Sequence, residues 1–486
     1  MVSLDEIRKD RIKKLDFLKE KGVNPFPAHS RRDYTLERAR ELFDELVERK
    51  KEISLLGRVV LLREQGGLVF FQLDDGTGRF QGLIKKGEVS ADVFSLFGGA
   101  VDVGDFIEIG GKLFATKKGE KTLLVSSWRM LSKSLRSLPD KWEGLQDTEE
   151  RFRRRYLDLI ANPRTRDLFV KKSRFWQGIR NFLMEEGGLE VETPVLEHIP
   201  GGADAEPFIT HLNTLDIDLY LRISLELNLK RLIVGGFPKV FEIGRIFRNE
   251  GIDREHLQDY TQLEMYWAYY DYKKLMELVE RMYQHVIKET LGSFTHEYQG
   301  TQINWSSPWS SVDYYEVFKK YTDIELKGIH EDELQTYAKK AGIAAEKHVG
   351  AGRLIDIIFK KEVRPHLVSP CFLMFPPALV EPLAKRSEED PERVLRFQIV
   401  AGGSELGKGF SELNDPLDQR KRFEEQMKLR ETGDKEAHRL DEDFIEALEY
   451  GMPPSSGFGV SERLFAFLMD QPVREAVFFP LMKRKS

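Results

Sequence analysis

Cysteine is almost absent from this chain, which has one such residue, Cys371, among 486. A single cysteine excludes an internal disulfide and any zinc cluster built from cysteines. Apolar runs are also short, and none approaches the roughly 18 residues that a membrane span needs. The first residues, MVSLDEIRKDRIKKL, are charged throughout and contain no apolar signal-peptide core. These absences predict a protein of the reducing cytoplasm with no membrane partner.

Two common nucleotide-binding motifs are missing as well. No G-x-G-x-x-G follows a predicted strand, and there is no P-loop sequence, so any ATP must bind in another way. Charge of one sign is not in large excess, since 75 Lys and Arg stand against 81 Asp and Glu, a net charge of −6. This balance argues against an indiscriminate phosphate binder. It leaves open a nucleic-acid partner bound on a local basic surface.

The composition is that of a soluble globular protein, with 41% hydrophobic and 32% charged residues. The length predicts two or three domains. Residues 1–52 form a predicted helical extension, in which apolar residues fall near helical spacing with basic residues between them. A solvated amphipathic helix and a tRNA-contacting helix both fit this pattern.

From residue 53 to 135 the pattern changes to short β-rich runs separated by turn residues. The runs are 54–62, 68–73, 80–84, 106–113 and 122–126. Five short strands in this space predict an all-β barrel of the OB type, which binds oligonucleotides on one face. Arg63, Phe70 and Gln81 are candidates for stacking on bases and reading their edges there. Taken alone, Phe70 also fits the barrel core, because most strand aromatics are buried.

A linker is predicted at 136–150, where one proline and one glycine interrupt a polar stretch. Residues 151–486 then mix strands and helices irregularly, without a fixed repeat. A helix is predicted to stop at Gly187-Gly188, and a strand is predicted at 189–193, before Pro194.

Three stretches of this segment are dense in arginine and carboxylate within an apolar, strand-like context. They are 240–269, 402–416 and 456–467. In the first, strand alternation is expected to place Arg248 with Glu250 on one face. In the second, the same alternation is expected to line up Lys408, Phe410 and Glu412. One arginine–carboxylate pair on a sheet is usually a structural ion pair, but three such stretches together favour a binding site for anions and cations.

Motifs in these stretches resemble those of the class II aminoacyl-tRNA synthetases. FRNE (247–250) with the charged loop after it resembles motif 2, GLEVETP (188–194) resembles motif 1, and GFGVSER (457–463) resembles motif 3. Three longer stretches are closer still to the lysyl-specific members of the class. They are IPGGADAEPFITH (199–211), YLRISLELNLKRLIVGGF (220–237) and GFSELNDP (409–416). The likeness runs from about residue 53 to the C-terminus.

This resemblance implies an α+β fold, in which a class II antiparallel sheet flanked by helices is preceded by an OB-fold barrel that binds the anticodon. It implies a homodimer made partly through motif 1, with ATP, L-lysine, Mg²⁺ and a lysine tRNA as substrates and partners. The implied activity is that of a lysine–tRNA ligase. Its two steps need no protein nucleophile, because they depend on positioning and charge stabilisation, so the lack of an obvious catalytic triad is expected.

The resemblance also implies roles for residues that match the family's motifs. Arg248 would bridge the amino-acid carboxylate and the α-phosphate, and Arg463 would hold the γ-phosphate. Glu250 and His256 would contact ATP, and Tyr260 would stack on the adenine in place of the more usual phenylalanine.

Further roles follow from the same resemblance. The implied lysine-binding residues are Glu226, Arg248, Glu264, Tyr266, Phe410 and Glu412. Glu412 and Tyr266 would lie at the side-chain ammonium of the substrate. The implied metal ligands are Glu405, Gln398 and Glu412, and Glu405 would also contact ATP. The implied anticodon contacts are Arg63, Phe70 and Gln81.

The sequence departs from the family pattern in three ways. The motif 2 loop places Arg254 one position before the usual arginine, with Glu255 in its place, and motif 3 is one residue shorter than the common form. The other two departures are single residues near the substrate and the metal. Gln398, a neutral and weaker ligand, stands where a second metal-binding glutamate is usual. Lys408 stands where asparagine is usual, beside a pocket meant for an ammonium group. Two cations that contact the same buried carboxylate repel each other strongly. We therefore expect Lys408 to turn towards a second carboxylate or the phosphates and to leave Glu412 free.

Three rival functions remain open at this point. An aspartyl or asparaginyl specificity would offer a cation to the substrate side chain, and Lys408 favours it, whereas Glu226 and Glu412 oppose it. A catalytically altered tRNA-binding protein would not need both Arg248 and Arg463. A synthetase-like modifier of another protein would lack the OB region.

Overall fold

A computed structural model describes residues 3–139, 145, 147–251, 256–343, 350–431 and 437–483. The chain divides into two compact units, one of residues 1–151 with 156–161 and the other of residues 152–155 with 162–486. Part of the predicted linker, residues 140–144 and 146, lies outside the described residues. The predicted boundaries at 52, 135 and 150 stay predictions.

The N-terminal part of the first unit contains three helices, α1 (Leu4–Glu20), α2 (Leu36–Glu41) and α3 (Phe43–Glu48). Ser3 caps α1 with a capping box that involves Glu6. Residues 21–35 are not helical, so the expectation of helix throughout this region is wrong there. Gly22 has a φ of +74°, a conformation that favours glycine, and two prolines follow in NPFP.

A closed five-stranded barrel completes the first unit. Its strands are β1 (Ile53–Gln65), β2 (Leu68–Asp74), β3 (Arg79–Lys85), β4 (Phe106–Ala115) and β5 (Lys121–Ser132). They close in the order β1-β2-β3-β5-β4, and the pair β3–β5 is parallel. A helix that the sequence did not reveal, α4 (Ala91–Ala100), lies between β3 and β4. The predicted OB-type barrel is confirmed, and apolar residues of α1, α2 and α3 share its core.

Helices α5 (Thr148–Arg153) and α6 (Arg155–Ala161) precede an α+β unit built on a large sheet. The helices of that unit are α7 (Pro163–Glu185), α8 (Glu226–Val234), α9 (Tyr272–Leu291), α10 (Tyr314–Thr322), α11 (Glu331–Lys340), α12 (Ala351–Ile358), α13 (Pro416–Glu431), α14 (Glu442–Glu449) and α15 (Arg463–Leu468). A π-helical turn, Phe359–Val363, continues α12, and short 3₁₀ turns lie at Arg364–His366 and Ala378–Val380.

Among the described residues of the second unit, the strands form one large sheet and two small ones. They are β6 (Leu189–Glu190), β7 (Leu196–Glu197), β8 (Ile209–Leu212), β9 (Ile217–Leu221), β10 (Lys239–Phe247), β11 (Asp259–Ala268), β12 (Thr295–Tyr298), β13 (Thr301–Asn304), β14 (Ser310–Asp313), β15 (Cys371–Met374), β16 (Arg396–Ala401), β17 (Ser404–Ser411) and β18 (Ser455–Ser461). The large sheet has the order β14-β15-β16-β17-β18-β11-β10-β6. It is antiparallel except for the pairs β14–β15 and β10–β6 at its two edges. The predicted antiparallel class II sheet is confirmed.

Helices pack against the large sheet through separate apolar cores. Phe175, Ile179 and Leu183 of α7 are buried with residues of α9 and of the central strands. A second core joins α8 and α14 to the sheet, and a third joins α10 and α12 to β15. The single cysteine, Cys371, begins β15 and is 3% exposed. In the part of the chain that the structure describes, no helix combines the length and the hydropathy needed to span a membrane.

The strand predicted at 189–193 is shorter than expected. Helix α7 ends as predicted, and Gly187 follows it with a φ of +84°. Only Leu189 and Glu190 then pair with β10. The backbone N–H of Thr193 donates to the Glu242 carboxylate at 3.0 Å instead of joining a strand ladder. The prediction of a five-residue strand is therefore wrong beyond Glu190.

Candidate active site

Four adjacent strands of the large sheet bring the predicted residues together in two rows. From β16 to β11, the first row is Gln398, Lys408, Gly459 and Glu264. In the same order, the second row is Arg396, Phe410, Gly457 and Tyr266. Residues two apart on a strand project to the same face, so both rows present their side chains to one side of the sheet.

A glycine stands within each row, and one of them permits no larger residue. A Cβ added at Gly457 would lie 2.3 Å from Cε1 of Tyr266 and 2.4 Å from Oε1 of Glu412. At Gly459, the nearest atom would be Cγ of Glu264 at an ordinary 3.6 Å. Gly457 therefore leaves the space in which Tyr266 and Glu412 lie.

A cavity of about 790 Å³ is lined by residues of both rows. Ten predicted site residues line it, namely Glu226, Arg248, His256, Tyr260, Glu264, Tyr266, Gln398, Glu405, Phe410 and Arg463. Two other residues predicted for the ATP and lysine site do not line it, and one of them, Glu250, is half-buried in the loop after β10. Glu412 directly follows β17 and is 1% exposed. Residues that lie up to 237 positions apart in the chain, from Glu226 to Arg463, thus meet around one cavity.

Glu264 is held by several donors that the sequence did not single out. Its Oε1 accepts from Ser224 Oγ at 2.7 Å, from the Leu225 N–H at 3.1 Å and from Gln262 Nε2 at 2.6 Å. Its Oε2 accepts from the Tyr266 hydroxyl at 3.0 Å. Because buried carboxylates need such partners, these bonds fix Glu264 and Tyr266 in the wall of the cavity.

Lys230 is a site residue that the sequence analysis missed. Its side chain is fully buried, and Nζ donates to Glu226 Oε1 at 2.6 Å and forms an ion pair with Glu412 Oε2. The same ammonium lies over the rings of Phe410 and Tyr266, 5.4 and 5.9 Å from their centroids. Burial opposes its charge, but Glu226 and Glu412 raise the Lys230 pKa above its ordinary value. The group is therefore an ammonium ion.

The expectation for Lys408 is confirmed in one part and wrong in the other. Lys408 Nζ pairs with Glu381 Oε2 at 3.1 Å, so it does turn to a second carboxylate. The same oxygen of Glu381 lies 3.4 Å from Arg396. Glu412 is not left free, however, because Lys230 rather than Lys408 contacts it. Burial of the Glu226–Lys230 pair could not be predicted from the sequence, because its i,i+4 spacing is common on exposed helix faces.

The motif 2 arginine does not lie on a strand. Strand β10 ends at Phe247, so the expectation that Arg248 and Glu250 share a strand face is wrong. The N–H of Arg248 donates to the Gln258 carbonyl at 2.8 Å, and its Nε donates to the Ile223 carbonyl at 3.3 Å. The guanidinium lies 5.7 Å from the Tyr260 ring centroid. These two hydrogen bonds, one from the backbone and one from the side chain, hold Arg248 where it lines the cavity.

Arg463 and His256 line the same cavity from other elements. Arg463 is the first residue of α15, and its N–H donates to Ser461 Oγ at 3.3 Å. His256 is half-buried, and it directly follows residues 252–255 of the motif 2 loop, which lie outside the described residues.

Glu405 lies among cationic side chains. Burial would raise its pKa, but Arg396, Lys360, Lys408 and Arg463 hold the Glu405 pKa at about 2, so it is ionised at neutral pH. Gln398 lines the cavity from the neighbouring strand. Within the described residues, no three His, Cys, Asp or Glu side chains cluster as a metal site would require.

Another basic group of the cavity wall lies on α12 and the turns after it, and the sequence did not reveal it. Arg353, Lys360 and Arg364 all line the cavity. Lys360 pairs with Asp356 at 2.7 Å. These residues lie 99 to 110 positions before Arg463, with no motif to mark them, so periodicity alone could not assign them to the site.

In the first unit, the three predicted anticodon residues share the outer face of the barrel. Arg63 on β1 pairs with Phe70 on β2, and Gln72 on β2 pairs with Gln81 on β3. Phe70 is half-buried, whereas the next residue, Phe71, is 1% exposed and belongs to the barrel core. The interpretation of Phe70 as a core residue is therefore wrong, because strand alternation turns it outwards.

Family comparisons agree with this fold. The family described as tRNA synthetases class II (D, K and N) matches residues 147–483, and the family described as OB-fold nucleic acid binding domain matches residues 53–131. The sheet, the arginines of the cavity and these matches define a class II aminoacyl-tRNA synthetase.

Full-length relatives narrow the class further. The chain is 44% identical over 484 residues to the lysine–tRNA ligase of Carboxydothermus hydrogenoformans, covering 99% of this chain and 98% of that protein. It is 44% identical over 478 residues to that of Moorella thermoacetica, with 98% and 97% covered. Identity to the Bacillus subtilis lysine–tRNA ligase is 41% over 488 residues, with 99% and 97% covered. The chain belongs to the lysine–tRNA ligase family.

Proposed function

We propose that this protein activates L-lysine with ATP and transfers it to the 3′ end of a lysine tRNA. The observation that carries the proposal is a cavity with opposite charges in its wall and directly behind it. Glu226, Glu264 and Glu412 are buried carboxylates suited to ammonium groups, and Arg248 and Arg463 are suited to phosphate and carboxylate oxygens. A neutral analogue of lysine would leave a buried carboxylate unpaired, at a cost of about 1–3 kcal/mol or more.

In the first step, the lysine carboxylate attacks the α-phosphorus of ATP in line, and pyrophosphate leaves. Arg248 bridges the attacking carboxylate and the α-phosphate, and Arg463 holds the γ-phosphate. Tyr260 stacks on the adenine, and Glu250 and His256 contact the nucleotide. No side chain supplies a nucleophile, since charge stabilisation and alignment are sufficient for phosphoryl and nucleotidyl transfer.

The amino acid lies among Glu226, Glu264, Tyr266, Phe410 and Glu412. Glu412 and Tyr266 contact the side-chain ammonium, and the Phe410 ring packs on the methylene chain. In the second step, a terminal hydroxyl of the tRNA attacks the carbonyl of the mixed anhydride, and AMP leaves. The lysine is then esterified to the tRNA.

Glu405 is the proposed magnesium ligand. Mg²⁺ is commonly held by one or two carboxylates together with substrate phosphates, and a single ionised carboxylate beside Gln398 fits an ion that ATP brings with it. Such an ion, when bound, offsets the charge of the phosphates. Glu412 does not fit this role, because Lys230 already contacts it. Cationic Arg396 and Lys360 near Glu405 supply further fixed positive charge.

The outer face of the barrel is the proposed anticodon site. Arg63, Phe70 and Gln81 offer a cation, an aromatic ring and an amide, which suit phosphate, base stacking and base-edge contacts. A homodimer formed partly through the motif 1 region is also proposed. Leu189, Val195 and Leu196 are apolar side chains in that region, each between 39 and 47% exposed. We propose a cytoplasmic location for the enzyme.

Amino-acid-dependent exchange of pyrophosphate into ATP tests this function across all standard amino acids. Lysine alone should support exchange, without tRNA, and equal exchange with aspartate or asparagine would refute the specificity. Arg248→Ala and Arg463→Ala should each lower exchange roughly a hundredfold or more, as is typical for lost transition-state donors. Arg245→Ala is the matched control, since Arg245 lies on the adjoining strand β10 and pairs with Asp259 instead.

A further inference from the structure

Lys230 is a buried cation between two of the carboxylates proposed to bind lysine. It lies one helical turn after Glu226 on α8, and both side chains are buried. Burying an unpaired charge is costly, so a buried ammonium persists only where carboxylates or other acceptors surround it. Here Glu226 Oε1 and Glu412 Oε2 meet that need. The lysine side chain is therefore part of the pocket's charge arrangement rather than a surface ion pair.

The two oxygens of Glu412 have different surroundings. Oε2 contacts the Lys230 ammonium. Both oxygens are buried and accept no hydrogen bond from the described residues, so the ion pair with Lys230 is what distinguishes Oε2 from Oε1. Oε1 lies against Gly457, where an added Cβ would approach it to 2.4 Å, and Gly457 lines the cavity. Oε1 is thus the oxygen that remains for a donor entering from the cavity.

The charges of the pocket side chains can be compared with those of a lysine substrate. In the lysine complex, where the substrate ammonium favours the ionised form of Glu412, the buried Glu226, Glu264 and Glu412 would carry three negative charges, and Lys230 would compensate one of them. Glu381 is paired separately with Lys408 and Arg396. Two negative charges then remain for the two ammonium groups of one free lysine molecule, while Arg248 is available for its carboxylate. An amino acid with a neutral side chain would leave one charge uncompensated.

We propose that Lys230 is a specificity-determining positioning residue, whose ammonium neutralises Glu226 and holds Glu412 so that Oε1 is presented to the side-chain ammonium of the substrate. The inference rests on the proposed function and deepens it. Lys230 is not available to bind the side chain of an acidic substrate, because it is already paired with Glu226 and Glu412.

Lys230→Met tests the role with a neutral side chain of similar length. The Michaelis constant for lysine should rise roughly thirtyfold or more, as is typical when one partner of a buried charge pair is removed. That for ATP should change less than about twofold, since Lys230 contacts carboxylates rather than the nucleotide site. Lysine binding should also become more dependent on pH, because without the Lys230 ammonium one of the two carboxylates, Glu226 or Glu412, retains a proton. Arg231→Met is the matched control, since the neighbouring Arg231 pairs with Asp441 at 3.0 Å.

The double variant Glu226→Gln/Lys230→Met keeps the proposal testable even if the single variant fails to fold. It removes one negative and one positive charge together, so it should fold and bind lysine better than either Glu226→Gln or Lys230→Met. Unchanged lysine binding and pH profile in Lys230→Met would overturn the inference. The inference would also be overturned if the loss of lysine affinity in the double variant equalled the product of the losses in the two single variants. Failure of the proposed function would instead show in the unmodified enzyme, as exchange without a lysine requirement.

Discussion

Glu412 couples lysine binding to proton binding through its burial. Burial raises the Glu412 pKa well above its ordinary value, although the nearby Lys230 ammonium opposes that rise. A substrate ammonium at Oε1 would favour the ionised form and so lower this pKa. Ligand-free protein therefore binds more protons at this residue than the lysine complex does.

We accordingly predict that lysine binding releases protons, and that it tightens as the pH rises through the raised pKa of Glu412. Calorimetric titration in two buffers with different ionisation enthalpies would measure the released protons. In Glu412→Gln, which has no proton to lose at this position, the buffer dependence should shrink along with the affinity. Equal heats in both buffers for the unmodified protein would contradict the prediction.

A second prediction at this scale concerns Gly457. In Gly457→Ala, the new methyl group would clash with Tyr266 and Glu412, so lysine affinity should fall at least about tenfold and stability by about 1–3 kcal/mol. Gly459→Ala is the control, because its added Cβ meets nothing closer than 3.6 Å. Thermal unfolding and lysine titration of both variants check it, and equal behaviour of the two would show that the space at Gly457 is not required.

Single residues show where prediction from the sequence ends. Arg248, Glu264 and Arg463 could be assigned because motifs mark them. Lys230 could not, since its spacing from Glu226 is equally that of an exposed helix pair, and only the packing of α8 reveals its burial. Charge repulsion predicted that the Lys408 side chain turns away from Glu412. Its partner Glu381 could not be predicted, because no motif marks that residue.

At the scale of elements, the strand β2 turns neighbouring aromatic rings to opposite sides. Phe70 is half-buried on the outer face, and Phe71 packs in the core, 5.2 Å from the ring of Phe97. The same substitution at the two positions should therefore have different consequences.

We predict that Phe70→Ala weakens tRNA charging while sparing lysine activation and thermal stability, because base stacking contributes about 1–3 kcal/mol. Phe71→Ala should instead lower the free energy of unfolding of the barrel by about 3–5 kcal/mol. Aminoacylation, pyrophosphate exchange and thermal melts separate the two effects. Loss of stability in Phe70→Ala without a specific charging defect would argue against the anticodon role.

Elements were predictable where local patterns decide them. The barrel strands follow from alternation and turn residues, and the end of α7 follows from its glycines. The two-residue length of β6 could not be predicted, because the Thr193 N–H donates to the side chain of Glu242, which is distant in the sequence. The basic cavity wall of α12 also depends on tertiary folding, which no local pattern encodes.

At the scale of the whole molecule, the proposed homodimer can be tested on the motif 1 surface. Leu196→Asp should shift the protein from dimer to monomer, since it places a charge among exposed apolar side chains. Leu417→Asp is the control, because Leu417 is 74% exposed on α13 outside that region. Sedimentation velocity would measure both. A monomeric unmodified protein, or a dimer unaffected by Leu196→Asp, would refute the proposed interface.

The burial of Cys371 has a practical consequence for following this molecule in solution. The residue lies on β15 between two neighbouring strands, and burial raises its thiol pKa to about 11. The reactive thiolate is therefore scarce and shielded in the folded state. A thiol reagent can label the native chain only when the sheet opens around β15, so the rate of labelling reports that opening. A cysteine introduced at the surface can meanwhile carry a fluorophore without prior removal of the natural one.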